Sequence, residues 1–288
     1  MNRVGIDVGG TKCLGVMVDD GGTVIAQLRR PTPHAAELVD VLHTMHDELD
    51  ASAPLGIGVP GLITHDGVIK ASPNLTGAHD IEVGPRLRER IDQVVTVDND
   101  ATMAALGEWK TGAARGADDV VVVTLGTGIG GGVVMGGRLQ RGAHGFAGEI
   151  GHMLVDSDGV ECPCGRRGCW ERYASGSALT RLSGGASGEE VFARSHEGDP
   201  AALAVVDEFI EWIAIGLSSL TNVCDPEVIV LGGGVVESLR SHEERVRRAF
   251  TDSLYSSKWR PHPRLEMARL GELAGAVGAA LRTDPANS

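Results

Sequence analysis

Basic residues are in the minority in this chain: 26 lysines and arginines stand against 39 acidic residues, for a formal net charge of -13. Binding nucleic acid calls for a basic face, so this balance argues against that class of partner. The one basic cluster, Arg245-Val246-Arg247-Arg248, falls in a segment of mixed helical character and reads as a solvated face. Long hydrophobic runs are missing too; a membrane span needs roughly 18 or more consecutive apolar residues, and no segment approaches that. Met1-Asn2-Arg3 leads straight into the apolar stretch Val4–Val8, without the long apolar region and cleavage site of a secretory signal. These absences predict a soluble, cytoplasmic protein. Aromatic residues make up only 3% of the chain, and no low-complexity tract occurs beyond the short Ser183–Gly188 run.

What is present begins with glycine, at 41 of 288 residues, clustered after apolar strands rather than spread as linker. With 42% hydrophobic residues, the chain can bury one large core or two ordinary ones. Five cysteines occur, and three of them sit in Cys162-Pro163-Cys164-Gly165-Arg166-Arg167-Gly168-Cys169. Thiolates spaced this way converge on one cation through tight glycine turns, and His152 completes a tetrahedral set. Cys₃His is a closed structural zinc arrangement with no position open for water. Free or disulfide-bonded cysteines are the alternative, disfavoured by the knuckle spacing and the lack of any export signal. Glu149 and Glu171 flank the set, so a bound zinc brings two carboxylates into one small volume. Cys13 and Cys224 lie outside it and are expected to be buried small residues.

Two stretches share one plan. Val4–Val8, the turn Gly9-Gly10-Thr11, Cys13–Val18, a second turn and Thr23–Leu28 form one set. Val120–Leu125, the turn Gly126–Gly131, Gly132–Met135, the turn Gly136-Gly137 and Arg138–Gln140 form the other. Helical and strand patterns alternate after each, which predicts two related α/β halves with mixed sheets. Helical spacing covers Ala35–Leu49, Ala101–Lys110 and Pro200–Val223; strands are expected at Leu55–Val59, Val94–Val97 and Glu227–Leu231. The domain junction is placed near Gly112–Ala117. That gives an N-terminal domain over 1–115, joined by the C-terminal helical segment 272–288, and a second domain over 116–271 carrying the cysteine knuckle.

Gly5–Lys12 looks like a P-loop but has Thr11 before Lys12, and no helical pattern follows. A glycine turn between antiparallel strands can still offer N–H groups from Gly9 and Gly10, and the Thr11 hydroxyl, to a phosphate. Asp7 faces the same mouth, where a carboxylate suits Mg2+. Gly126-Thr127-Gly128-Ile129-Gly130-Gly131 has the dinucleotide spacing G-x-G-x-x-G, yet a short β-branched strand follows instead of the required helix. It reads as a second phosphate hairpin. Gly232-Gly233-Gly234 follows a strand as well and could let a flat ring such as adenine lie against the backbone. Asp98-Asn99-Asp100 ends a strand and opens a helix, placing Asp100 at the N-cap, where capping alone would explain an aspartate. Strand C-termini are also where ligands bind in α/β sheets, and Asp100 matches the base that takes a hydroxyl proton in phosphoryl transfer.

These segments together, from Gly5–Lys12 through Val97–Glu108, Leu125–Gly132, Glu149–His152 and Cys162–Glu171 to Leu231–Gly234, resemble the ROK sugar kinases, most closely their zinc-containing ATP-dependent glucokinases. The resemblance implies two actin/hexokinase-like (ribonuclease H-like) α/β domains closing over a sugar. It implies ATP with Mg2+ on Asp7, Gly9, Gly10, Thr11, Lys12, Gly126, Thr127, Gly128 and Gly232–Gly234, and Asp100 as the base for the 6-hydroxyl of glucose. Asn99, Asp100, Glu149, His152 and Glu171 would contact the sugar, while structural zinc would sit on His152, Cys162, Cys164 and Cys169. Relatives of this kind often form dimers or tetramers. One departure concerns the segment Ser72–His79: many relatives carry a tryptophan soon after Pro-Asn-Leu, and here Ala78-His79 follows. Mannose, fructose or an N-acetylated amino sugar therefore stay open as substrates, and polyphosphate as donor. A sugar-sensing repressor of the same superfamily would need a DNA-binding segment ahead of the first loop, which begins at residue 5.

Overall fold

A computed structural model describes residues 1–72, 75, 77 and 79–287. The Pro-Asn-Leu departure, with Pro73, Asn74, Thr76 and Ala78, lies outside the described residues. The strands in chain order are β1 (Arg3–Val8), β2 (Lys12–Val18), β3 (Val24–Pro31), β4 (Leu55–Val59), β5 (Leu62–Ile63), β6 (Ile69–Ala71), β7 (His79–Ile81) and β8 (Val95–Asn99). They continue with β9 (Val120–Leu125), β10 (Ile129–Met135), β11 (Arg138–Leu139), β12 (Val228–Gly232) and β13 (Arg264–Met267). The helices are α1 (Leu38–Asp50), α2 (Val83–Arg88), α3 (Asp100–Lys110), α4 (Gly176–Leu182) and α5 (Gly188–His196). After them come α6 (Pro200–Cys224), α7 (Gly234–Leu239), α8 (Glu243–Ser253) and α9 (Ala274–Arg282).

The chain divides into two compact units, one of residues 1–116, 132–148 and 269–288, the other of 117–131 and 149–268. In the first, the sheet order is β3–β2–β1–β4–β8. β1, β2 and β3 pair antiparallel, and β4 and β8 run parallel to β1. Alternating side chains cover both faces. Val4, Ile6 and Ile57 join Leu38, Leu42 and Met45 of α1 in one core cluster, while Leu14, Val16 and Val18 pack with Ala276, Val277 and Ala280 of α9 in another. α9 comes to backbone contact because glycines face it. A Cβ on Gly56 would lie 1.7 Å from the Ala279 carbonyl oxygen, and one on Gly278 would lie 1.7 Å from that of Met103 in α3.

The second sheet has the order β11–β10–β9–β12–β13, with β12 parallel to both of its neighbours. α6 starts at an Asp199 cap followed by Pro200 and ends where Asp225 turns left-handed at φ 43°. Its Gly216 receives the fully buried Trp170: a Cβ there would stand 1.9 Å from the indole. The arginines of the basic cluster in α8 are paired as a solvated face would have them, Arg245 with Asp207, Arg247 with Glu243 and Arg248 with Asp252. Cys13 is buried as expected, whereas Cys224, at the end of α6, is only half-buried. Among the described residues, no helix is long and apolar enough to cross a membrane.

Candidate active site and metal centre

The first glycine turn joins β1 to β2, with the Gly9 N–H donating to Lys12 O at 2.9 Å and the Thr32 hydroxyl to Gly9 O at 2.6 Å. Lys12 is held by Glu272 at 2.7 Å, and Arg29 pairs with the same carboxylate. Asp7 lies in a cradle that only glycine permits. A Cβ on Gly275 would stand 2.6 Å from its Cγ, and one on Gly58 would stand 3.3 Å from its Oδ1. Burial pushes the Asp7 carboxyl up to about 8, the negative charge of Asp100 adds to the rise, and Lys12 opposes it. A hard dication at this carboxylate would favour its ionised form, so the cradle suits Mg2+.

The N-cap of α3 is Asn99, not Asp100. Asn99 has extended backbone, at φ -66° and ψ 140°, and its Oδ1 accepts the Thr102 N–H at 3.0 Å. Asn and Asp cap about equally well, and the choice falls on Asn99 because β8 ends there and the helical backbone begins at Asp100, one residue earlier than expected. The Asn99 amide also donates to Gly61 O at 3.1 Å, which leaves it a second donor and a second lone pair. Asp100 becomes the first helical residue, free of the capping role. Its Oδ1 accepts the Ala101 N–H at 2.9 Å, and burial raises its affinity for a proton. Asp98, 2% exposed, accepts the Asn99 N–H and lies 2.5 Å from Nε of Arg141 and 3.7 Å from Nε of Arg282. This buried charge cluster was not read from the sequence, since Arg141 and Arg282 are remote in the chain.

In the second unit the turn Gly126–Gly131 closes with the Gly126 N–H on Gly128 O at 3.0 Å. The start of α4 binds its carbonyls, Gly176 N–H to Gly126 O at 2.8 Å and Ser177 N–H to Thr127 O at 3.3 Å. Gly232 ends β12 and Gly234 opens α7; Gly233 between them has φ 89°, and a Cβ there would lie 2.4 Å from Leu125 O. Beside Gly234 a Cβ would meet nothing within 4 Å, so one face of this run is open.

The ligand atoms of His152, Cys162, Cys164 and Cys169 all lie within 4.8 Å of one another. Cys164 and Cys169 sulfurs are 3.6 Å apart, and Cys162 Sγ is 3.9 Å from His152 Nδ1. Thiolate and imidazole ligands about 2.3 and 2.0 Å from one tetrahedral centre stand roughly 3.5–3.8 Å apart, whereas a disulfide needs about 2.05 Å. These two spacings are near the edge lengths of a zinc tetrahedron and far from a disulfide, and the four residues are a ligand set that could hold one ion. Burial pushes the Cys162 and Cys169 thiols up, and a dication bound among them would supply the field that makes thiolates. The knuckle is shaped by left-handed glycines, Gly165 at φ 88° and Gly168 at φ 73°. It is pinned through Trp170, whose backbone N–H donates to Met153 O at 2.9 Å and whose indole donates to Trp212 O at 2.7 Å. Glu171 follows, with Oε1 at 3.0 Å from Cys162 Sγ and 3.7 Å from His152 Nδ1.

Residues 3–283 match the ROK family. A glucokinase from Streptomyces coelicolor is 32% identical over 304 residues, 96% of each chain. An N-acetyl-D-glucosamine kinase from Pectobacterium atrosepticum is 34% identical over 299 residues, 96% of this chain and 97% of its own. Among solved structures, a ROK family glucokinase from Streptomyces griseus in complex with glucose and AMPPNP superposes with a TM-score of 0.86 at 34% identity. It covers 97% of this chain and 98% of its own. The glycine hairpins, the Asn99-Asp100 helix start and the Cys₃His cluster thus belong to a chain that is a member of the ROK family, with the α/β fold of that family's actin/hexokinase-like kinases.

Proposed function

We propose that this protein is an ATP-dependent hexose kinase that phosphorylates D-glucose at O6, yielding glucose 6-phosphate and ADP. The observation that carries the reading is Asp100: a carboxylate at the end of β8, relieved of capping by Asn99, with its proton affinity raised by burial. A base of that kind takes the proton of the 6-hydroxyl as O6 attacks the γ-phosphorus. The O6–P bond forms, the bond from phosphorus to the β,γ-bridging oxygen breaks, and ADP leaves.

In this reading Asn99, Asp100, Glu149, His152 and Glu171 contact the sugar. Gly9, Gly10, Thr11 and Lys12, with Gly126, Thr127 and Gly128, hold the phosphates, and Gly232–Gly234 receive the adenosine. Asp7 would hold Mg2+, which supplies charge neutralisation at the phosphates when bound. His152, Cys162, Cys164 and Cys169 would hold zinc, whose part is to fix the segment presenting His152 and Glu171. The glucose and AMPPNP bound by the Streptomyces griseus relative support both substrates. Reduced thiols and an ATP supply suit the cytoplasm, and a homo-oligomer is the expected assembly.

A second reading keeps the chemistry and changes the sugar, since the Pectobacterium atrosepticum relative is an N-acetyl-D-glucosamine kinase at the same level of identity. A coupled ADP-release assay with Mg-ATP against glucose, mannose, fructose and N-acetylated amino sugars decides between them. Turnover on glucose supports the first reading, and turnover confined to an amino sugar supports the second. No turnover on any hexose, with ATP or with polyphosphate, sinks both.

A further inference from the structure

The carboxylate of Glu171 stands against the second glycine turn. A Cβ on Gly128 would lie 2.6 Å from Glu171 Oε2 and 3.7 Å from its Cδ, while Oε1 is 3.0 Å from Cys162 Sγ. One carboxylate therefore fills the space from the thiol cluster to the turn, and it does so because residue 128 has no side chain. Two more glycines draw the neighbouring segment in. A Cβ on Gly131 would be 2.3 Å from Ile150 Cδ1, and one on Gly151 would be 2.1 Å from Ile129 O. The turn, the Glu149–His152 segment and Glu171 are thus one close-packed layer of the second unit.

We propose that Gly128 is a positioning residue for sugar recognition: its missing side chain sets where the Glu171 carboxylate stands, so a turn that serves the nucleotide also fixes a sugar contact. This rests on the reading of Glu171 as a sugar contact. Gly128 is not among the left-handed glycines, so alanine can adopt its backbone. The added methyl would meet the free end of a flexible side chain rather than backbone, so it displaces the carboxylate and spares the fold. Gly126 offers the control: a Cβ there would have only Gly128 O near it, at 4.0 Å.

The test compares wild type, Gly128→Ala, Gly126→Ala, Glu171→Gln and the Gly128→Ala/Glu171→Gln double variant. It measures KM for hexose and for ATP, hexose Kd by calorimetry without ATP, zinc content and Tm. A misplaced contact costs about tenfold or more, so Gly128→Ala is expected to raise hexose KM and Kd by at least that, with zinc and Tm unchanged. Gly126→Ala should act on ATP KM alone. In the double variant the glycine change should add nothing to the loss caused by Glu171→Gln, the signature of one coupled unit. Unchanged hexose Kd in Gly128→Ala, or additive losses in the double variant, would overturn the proposal. A crystal structure of Gly128→Ala separates the two levels. Glu171 unmoved refutes the positioning itself. Glu171 displaced in a protein whose wild type binds no hexose refutes the kinase reading, and the sugar role falls with it.

Discussion

The Glu108 carboxylate accepts the backbone N–H of Leu270 at 2.8 Å, and it takes those of Arg269 at 3.0 Å and Ala113 at 2.8 Å as well. The chain first leaves this unit after Gly116 and last re-enters it at Arg269, so one buried side chain holds the backbone near its first exit and at its final return. Glu108→Gln replaces an acceptor oxygen with an NH₂ group facing N–H donors. At least one buried donor loses its partner, which costs about 1–3 kcal/mol. Urea unfolding should show the free energy of unfolding falling by that measure, with a lower midpoint; an unchanged midpoint would mean the clamp contributes nothing.

Asp7 provides a pH signature. Its carboxyl is raised by burial to about 8, so the folded protein binds a proton that the unfolded chain releases near the ordinary carboxylate value. Where the folded state binds more protons, stability falls as pH rises, here from about 4 to about 8. Asp7→Asn should be more stable than wild type above about pH 8, by several degrees in Tm, with the difference shrinking towards pH 4. Parallel Tm–pH curves for the two proteins would contradict this.

His242 acts with the opposite slope. Burial and then the positive charge available on His196 lower its pKa, and Ser195, Arg245 and Phe192 face the ring on its other sides. A histidine kept neutral in the fold contributes stability that is present above its unfolded pKa of about 6.5 and is lost as pH falls below that value. His242→Gln should flatten the Tm profile on the acid side of about pH 6.5 while leaving the alkaline limb as it is. Differential scanning fluorimetry across that range reads the outcome.

The Cys₃His cluster predicts about one zinc per chain by elemental analysis. Cys164→Ser should lose most of it, lower Tm, and raise the hexose KM more than the ATP KM, since His152 is one of the four ligands and Glu171 lies beside them. Retention of both metal and activity in Cys164→Ser would show that the cluster does not anchor the site.

Asp100→Asn keeps the shape of the helix start and removes the base. Its kcat on the hexose should fall by roughly 10²–10⁴ while calorimetry finds hexose binding little changed. A variant with near-normal turnover would end the base assignment. The acidic limb of kcat/KM in the wild type should also lie above the ordinary carboxylate range, because burial raises Asp100 and only its ionised form accepts the proton.

Local chemistry was legible in the sequence wherever a few consecutive residues carry it. Alternating apolar residues broken by glycine marked the hairpins of β1–β2 and β9–β10, and the Cys-x-Cys spacing marked the knuckle, because turn geometry and ligand reach are short-range. Cap choice was not legible: Asn99 and Asp100 are equivalent cappers, and only the length of β8 selects the first. Neither was the wall around Asp7, since Gly58 and Gly275 that form it are remote from Asp7 in the chain.

By itself the sequence determined the types of element, the two glycine turns, the knuckle and the carboxylates available for chemistry. Tertiary structure alone decided that residues 132–148 group with the first unit, that Arg141 and Arg282 meet at Asp98, and that Glu171 rests on Gly128. The reason is physical. Periodicity and turn propensity act within a few residues, while close packing and the pairing of buried charge are settled between segments that meet only when the chain has folded.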